Sequence, residues 1–483
     1  MLFVKRGLTK YHALPVQLKA SFWFLLSGIL QRGVAVLTTP IFTRLLTPSE
    51  FGVFSLYLSW FSILSVFVTL KLSMGVYLQG LVKFEEDQKK FTSSLQGLSF
   101  TAVGISFIIY IIGQEFWNEI FQLSTLVMVC MFVSMWSSAV FGFWSGKQRV
   151  DFKYKALVRV SVFIAVIKPV IGIVVVLLFP LHRVEARILS ITIIEFMVYF
   201  IFFVSQLRKG KQFYNKEYWK YALKFNIPLI PHYLSQTVLS ASDKVMIGML
   251  RGAKETGIYS LAYSLSMLMT IINVAIDNTM GPWIYKNIKN NTCDNIGKVS
   301  YAILIVLALS NLLLIGAAPE VIAVFAPPAF HEAMWVIPPV SMGVFFMFMY
   351  SLFSKFAFYF EKTKTIMVVS MIGAVLNIAL NLALIPRFGY LAAAYTTLLC
   401  YMVYVLGHYF YMRFVQKKYM NNTIVYNPMI IILISAVFMV AGFGFTLLYE
   451  YLVVRYLLIA ALIVIMFIYR EKMIGLIKEI RKE

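Results

Sequence analysis

Glu50-Phe51-Gly52-Val53-Phe54-Ser55-Leu56 recurs 205 residues later as Glu255-Thr256-Gly257-Ile258-Tyr259-Ser260-Leu261. Each copy follows a short polar stretch and opens a long apolar run. A second matched pair lies further along. Pro180 and Ala186 separate two apolar runs, and Pro386 and Ala392 do the same at an offset of 206. A steady offset at two separate places means that one structural unit is written twice. Internal repetition of this kind marks transporters built from two related halves.

The composition agrees. Of 483 residues 60% are hydrophobic and 13% charged, against about 25% charged in a soluble domain. The apolar residues fall in runs of roughly 20, the length that spans a hydrocarbon core of ~30 Å. Fourteen runs are read, at 18–41, 51–72, 91–113, 120–143, 156–179, 187–207, 225–249, 257–281, 298–319, 333–357, 365–386, 390–413, 427–449 and 453–469. The fold class is therefore an all-α polytopic membrane protein. Six runs separate the two copies of the heptad. An even number gives both lobes the same orientation, a parallel repeat. The expected division is an N-terminal lobe over 1–213, a C-terminal lobe over 214–415, and two further helices with a basic tail over 416–483.

The net charge is +22. With the N-terminus inside, about 30 of the 43 Lys and Arg fall in inside segments and about 7 in outside loops, a positive-inside bias. The basicity reports topology and anionic lipid, not nucleic acid. It predicts a multi-pass protein of the cytoplasmic (inner) membrane with both termini cytoplasmic. Lys5, Arg6, Lys10 and Lys19 precede a first run too long for a cleaved signal, so that run is read as retained. Arg208 to Lys224 reads as an amphipathic basic linker between the lobes. Cys130, Cys293 and Cys400 have no disulfide or metal spacing. No phosphate loop, dinucleotide fingerprint or nucleophile elbow occurs. The expectation is a transporter and not an enzyme, with no cofactor.

An ionisable group inside a bilayer is costly and needs a reason. Arg32, Lys71 and Lys168 are the candidate cavity cations, with Arg159 a snorkelling residue. Arg32 lies about 21 Å into its helix at 1.5 Å per residue, and an ion pair with Glu195 is its bland alternative. His232, Gln236, Ser240 and Asp243 step by four, four and three along the seventh run, one polar face behind Pro228 and Pro231. Asp243, Lys244 and Asp277 are candidate coupling or gating groups, and H+ or Na+ the candidate coupling ion. Asp243 and Lys244 are adjacent and so point about 100° apart, which forbids a shared partner. Ser370, Gly373, Asn377 and Asn381 share a face of the eleventh run. It reads either as a cavity lining or as interhelical hydrogen bonding. His408 reads as a satisfied bundle histidine.

Gln31-Arg32-Gly33 through Pro40, Arg44 through Gly52, Ser242-Asp243-Lys244-Val245-Met246-Ile247-Gly248 with Gly257-Ile258-Tyr259-Ser260-Leu261-Ala262, and Pro386-Arg387-Phe388-Gly389-Tyr390 together resemble the Wzx-type polysaccharide flippases. These belong to the multidrug/oligosaccharidyl-lipid/polysaccharide exporter superfamily. The resemblance implies two lobes about a central cavity, and translocation of undecaprenyl-diphosphate-linked sugar units from the inner to the outer leaflet for O-antigen, lipopolysaccharide or capsule synthesis. It implies membrane lipids, the lipid-linked oligosaccharide, a polysaccharide polymerase and a chain-length regulator as partners. Related lipid II flippases carry cations on helices one, two and eight. Arg32 and Lys71 fit that pattern, whereas the eighth run offers Asp277 and no interior base. A lipid II-type flippase or a multidrug/cation antiporter of the same superfamily is the alternative.

Overall fold

The computed structural model describes residues 15–482, except the side chains of Leu239, Thr363, Lys364 and residues 471–482. The N-terminal bases Lys5, Arg6 and Lys10 lie outside the described residues. Nineteen α-helices and no strand occur among the described residues. The chain forms two compact units that divide between Thr237 and Val238.

The first unit contains α1 (Val16–Leu45), α2 (Pro48–Val68), α3 (Gly75–Lys83), α4 (Gln88–Ile112), α5 (Gln114–Phe121), α6 (Thr125–Val150), α7 (Tyr154–Leu178), α8 (Arg183–Gly210) and α9 (Lys216–Asn226). Helix α10 (Ile230–Arg251) carries the division within it. The second unit continues with α11 (Ala253–Ser266), α12 (Met269–Lys289), α13 (Asp294–Gly316), α14 (Ala318–Phe325), α15 (Ile337–Tyr359), α16 (Thr363–Phe388), α17 (Tyr390–Tyr419), α18 (Pro428–Leu447) and α19 (Leu452–Lys482).

The duplication is visible in element order. Short α5 recurs as short α14, in each case between two long helices. Packing recurs as well: α6 and α7 both lie on α8, and α15 and α16 both lie on α17. Thirteen helical segments are long and apolar enough to cross a membrane. The fourteenth expected span, α10, has the length but carries His232, Gln236, Ser240, Asp243 and Lys244, which dilute its apolar character. Its start is broken as Pro228 and Pro231 predict: α9 ends at Asn226 and a 3-10 turn, Ile227–Leu229, precedes α10.

Both copies of the heptad start a helix. In the first, Thr47 and Glu50 form a capping box. The Glu50 carboxylate accepts from the Thr47 amide at 2.7 Å, and the Thr47 hydroxyl accepts from the Glu50 amide at 3.3 Å. In the second, Gly252 at φ +95° reverses the chain, a conformation that disfavours any residue with a Cβ. Arg251 then bonds Glu255 at 3.2 Å.

The expected second span, 51–72, stops early. Helix α2 ends at Val68 and a turn follows, with Leu70 and Lys71 both left-handed at φ 50° and 47°. Lys71 thus sits on a turn, not in a helix. The Leu70 carbonyl freed there accepts from the Asn226 side chain.

The basic linker is docked against the first unit. Asn215 caps α9 by accepting from the amides of Glu217 (2.9 Å) and Tyr218 (3.1 Å). The buried Tyr218 ring meets Phe84 and Phe91, and the Trp219 indole donates to the Ser94 carbonyl at 2.9 Å. Gly97 permits the approach, because a Cβ there would strike the Phe213 carbonyl oxygen.

Lipid-facing packing is the bland expectation for α18 and α19, and Leu433, Val440 and Leu457 are indeed exposed. The two helices are also fastened inward. The Phe438 ring lies 4.3 Å from Phe345. Arg455, only 2% exposed, donates to Glu320 of α14, which also accepts from the Tyr456 hydroxyl at 2.8 Å.

Candidate functional site

Polar groups cluster in each unit, and the cluster in the second unit is buried. In the second unit the polar face of α10 ends in Asp243, which is 2% exposed. Its Oδ2 accepts from the Tyr259 hydroxyl (2.8 Å) and the Thr397 hydroxyl (2.5 Å), and its Oδ1 accepts from the Asn381 amide (2.7 Å). Asn381 and Asn377 are fully buried. The Asn377 Oδ1 accepts from Ser242 (3.1 Å) and from Asn381 (3.3 Å), while the Asn381 Oδ1 accepts from Thr396. Four helices meet here: α10, α11, α16 and α17.

The asparagine face of α16 is therefore interhelical hydrogen bonding around a carboxylate, the second of its two expected readings. Tyr259 belongs to the repeated heptad, so that heptad starts a helix and also supplies a donor to the site. No Lys, Arg or His nitrogen lies within 4.0 Å of Asp243 among the described residues. Lys244 turns away, as the 100° step requires, and lies 4.7 Å from the Tyr263 ring centroid. Asp243 is thus a buried carboxylate held by neutral donors. Burying an unpaired charge is expensive. A proton or a small hard cation would remove that cost.

His232 and Gln236 lie earlier on α10, outside this cluster, with Gln236 Nε2 3.4 Å from the His232 Nε2. Asp277 does not join it either. It pairs with Lys355 of α15 at 2.7 Å and accepts from Ser351 at 2.8 Å. His408 is buried against Tyr350 and Tyr404, and neither ring nitrogen has a hydrogen-bond partner among the described residues. The expectation of a satisfied histidine is not met.

In the first unit Lys168 of α7 pairs with Glu195 of α8. Lys168 is consequently a neutralised cation, and Glu195 is the partner of Lys168, not of Arg32. Arg32 is exposed on α1, with no carboxylate within 4.0 Å among the described residues. Lys71 donates to the Ser65 hydroxyl at 2.9 Å, a neutral partner that leaves its charge uncompensated. Sequence reading missed Tyr259, Thr396, Thr397 and Lys355. Periodicity assigns a face to each helix but does not say which faces meet.

A family model described as polysaccharide biosynthesis protein matches residues 17–288, more than half of the chain. The chain belongs to that family. A second model, MatE, matches residues 228–383, which hold Asp243, Asn377 and Asn381 of the buried cluster. Among curated proteins, Lsg locus putative protein 1 of Haemophilus influenzae is 26% identical over 216 residues, 42% of this chain. The chain spans about half the length of that relative, 51%. Among solved structures, the lipid II flippase MurJ in an inward closed conformation superposes at a TM-score of 0.71 with 15% identity, covering 94% of this chain and 99% of that one. An inward-facing multidrug resistance MATE family transporter of the MOP superfamily superposes at 0.59 with 12% identity, covering 80% and 96%. At those identities the likeness is one of fold. This member of the polysaccharide biosynthesis family is thus a multi-pass membrane protein with the fold of the superfamily its motifs resemble.

Proposed function

We propose that the protein is a flippase that moves undecaprenyl-diphosphate-linked oligosaccharide repeat units from the inner to the outer leaflet of the cytoplasmic membrane by alternating access. Family membership, the whole-chain fold likeness and the positive-inside bias support this reading. The observation that carries the mechanism is the Asp243 carboxylate, buried with only neutral donors. In this reading Asp243 exchanges H+ or Na+ once per cycle, and Asn377, Asn381 and Thr397 shape its site. Arg32 and Lys71 hold the diphosphate by charge-assisted hydrogen bonds. Lys168, already paired, serves packing. Both termini face the cytoplasm, where a polymerase and a chain-length regulator are the expected companions in the pathway.

The interior-negative potential favours export of an anionic head group, at ~2.3 kcal/mol per elementary charge per 100 mV. The test is flipping of labelled lipid-linked oligosaccharide in proteoliposomes under imposed potential, pH and Na+ gradients. Wild type accelerates with at least one ion gradient, and Asp243→Asn does not. Rates indifferent to all three gradients would sink the coupling. A lipid II substrate is told apart by supplying lipid II in place of the oligosaccharide lipid. The MatE match over the Asp243 region favours a second reading, export of a small organic cation. Ethidium extrusion by the reconstituted protein, with no lipid flipping, would select it.

A further inference from the structure

The internal repeat also relates the polar clusters of the two units. At 205 residues Thr38 corresponds to Asp243 and Phe54 to Tyr259, and at the 206 that holds around Pro180 and Ala186, Ile171 corresponds to Asn377, Ser190 to Thr396 and Ile191 to Thr397. Where the second unit places a carboxylate and an amide, the first has a hydroxyl and an isoleucine. What the first unit holds there is a cavity of about 280 Å³, bounded by Gln31, Thr38, Phe42, Lys168, Gly172 and Arg187 among others.

Arg187 gives this cavity its charge. The guanidinium lies between the Phe42 and Phe54 rings, with Cζ 3.7 Å from each centroid. The rings cover its two flat faces, which leaves its N–H donors in the plane between them. Two of these nitrogens, Nε and Nη1, are buried and have no hydrogen-bond partner among the described residues. No carboxylate lies within 4.0 Å of Arg187 among the described residues. Lys168 and Glu195 cancel one another. The cavity is therefore bounded by one positive charge that no carboxylate within 4.0 Å compensates among the described residues. Buried donors on a cation demand an acceptor. The volume equals about nine waters at ~30 Å³ each, too small for an oligosaccharide and ample for one anionic group.

We propose that this cavity binds a small monovalent anion, a halide or a single carboxylate group, on Arg187. It is a counterpart, of opposite charge, to the Asp243 site in the other half of the repeat. Two sources share this chemistry: free chloride, and the carboxylate of an acidic sugar.

The test is thermal unfolding of the purified full-length protein in detergent, at fixed Na+ and ionic strength. The anion is chloride, acetate, glucuronate or a bulky sulfonate as reference. Wild type is expected to melt about 3 °C higher, saturably, in a small anion than in the sulfonate. Arg187→Gln should melt at one temperature in all four. If that variant does not fold, Ala35→Leu, which narrows the same cavity, should lose the anion increment while keeping its melting temperature in sulfonate. Arg183→Gln, a neighbouring arginine outside the cavity, should keep the increment. A larger response to chloride identifies a free anion, and a larger response to glucuronate identifies a sugar acid. Wild type indifferent to the anion, or a full increment in Arg187→Gln, overturns the proposal. The readout is independent of which lipid the protein moves.

Discussion

The two units share an order of helices and differ in the charge at their centres. The second unit surrounds a carboxylate with neutral donors: Tyr259, Asn381 and Thr397. The first unit neutralises its own carboxylate, Glu195, with Lys168 and keeps an arginine between two rings. Duplication preserved the packing of α8 and α17 against their neighbours while the polar chemistry diverged. The apolar frame tolerates that divergence because Lys168 meets Glu195, and Asp243 meets its three donors, each within its own unit. Buried polar clusters in such a protein are therefore informative about function in proportion to what they leave uncompensated. By that measure Asp243 and Arg187 stand above Lys168 and Asp277.

Substitutions can break this comparison. The largest effect is expected at Asp243. Asp243→Asn should lower the rate of lipid flipping about 100-fold, which is ~2.7 kcal/mol of barrier, and abolish its response to ion gradients. Melting of the variant checks that it folds. A wild-type rate in flipping assays would remove the distinction between the units. Next comes the compensated pair. Glu195→Gln should destabilise the protein by about 2 kcal/mol, less than the ~3–5 of a fully buried pair because Lys168 is partly exposed. Adding Lys168→Met should restore most of the loss, as read by a double-mutant cycle of unfolding free energies.

A smaller difference concerns the two helix starts. Thr47→Ala removes the cap of α2 and should cost about 1 kcal/mol, seen as a lower melting temperature. No side-chain cap exists at Gly252, and its contribution is tested instead by Gly252→Ala, strained at φ +95°. The smallest effect lies in the loop between α6 and α7. Burial pushes the Asp151 carboxyl up, but hydrogen bonds and charge from Lys147 and Lys153 outweigh it and hold the group below its ordinary 3.8. A depressed value stabilises the fold above the unfolded one, and that contribution disappears as pH falls from about 4 through the depressed value. Asp151→Asn should flatten the acid limb of melting temperature against pH. An unchanged limb would show that the pair contributes nothing.

Much of this was legible in the residues. The heptads at 50 and 255 gave the repeat, the length of the runs gave the spans, and Pro228 with Pro231 gave the break before α10. Asp243 and the Asn377–Asn381 face were both visible, because charge and amides inside an apolar run stand out. Their meeting was not, since they lie 138 residues apart between Asp243 and Asn381. The same limit hid the Lys168–Glu195 and Lys355–Asp277 pairs, whose members sit on different helices. Arg187 opens the expected sixth run, 187–207, whereas the helix starts four residues earlier, at Arg183. Lys71 falls inside the expected span because no proline or glycine lies between Val68 and Lys71.

The bond between Arg455 and Glu320 has a consequence in time. The two residues are 135 positions apart. At a synthesis rate of roughly 5–20 residues per second, about 7–27 s separate the appearance of Glu320 from that of Arg455. During that interval α14 has emerged and its carboxylate has no guanidinium to meet. Closure of the second unit is thus a late event in biogenesis. A chain stopped before α19 would leave Glu320 without its Arg455 and Tyr456 partners.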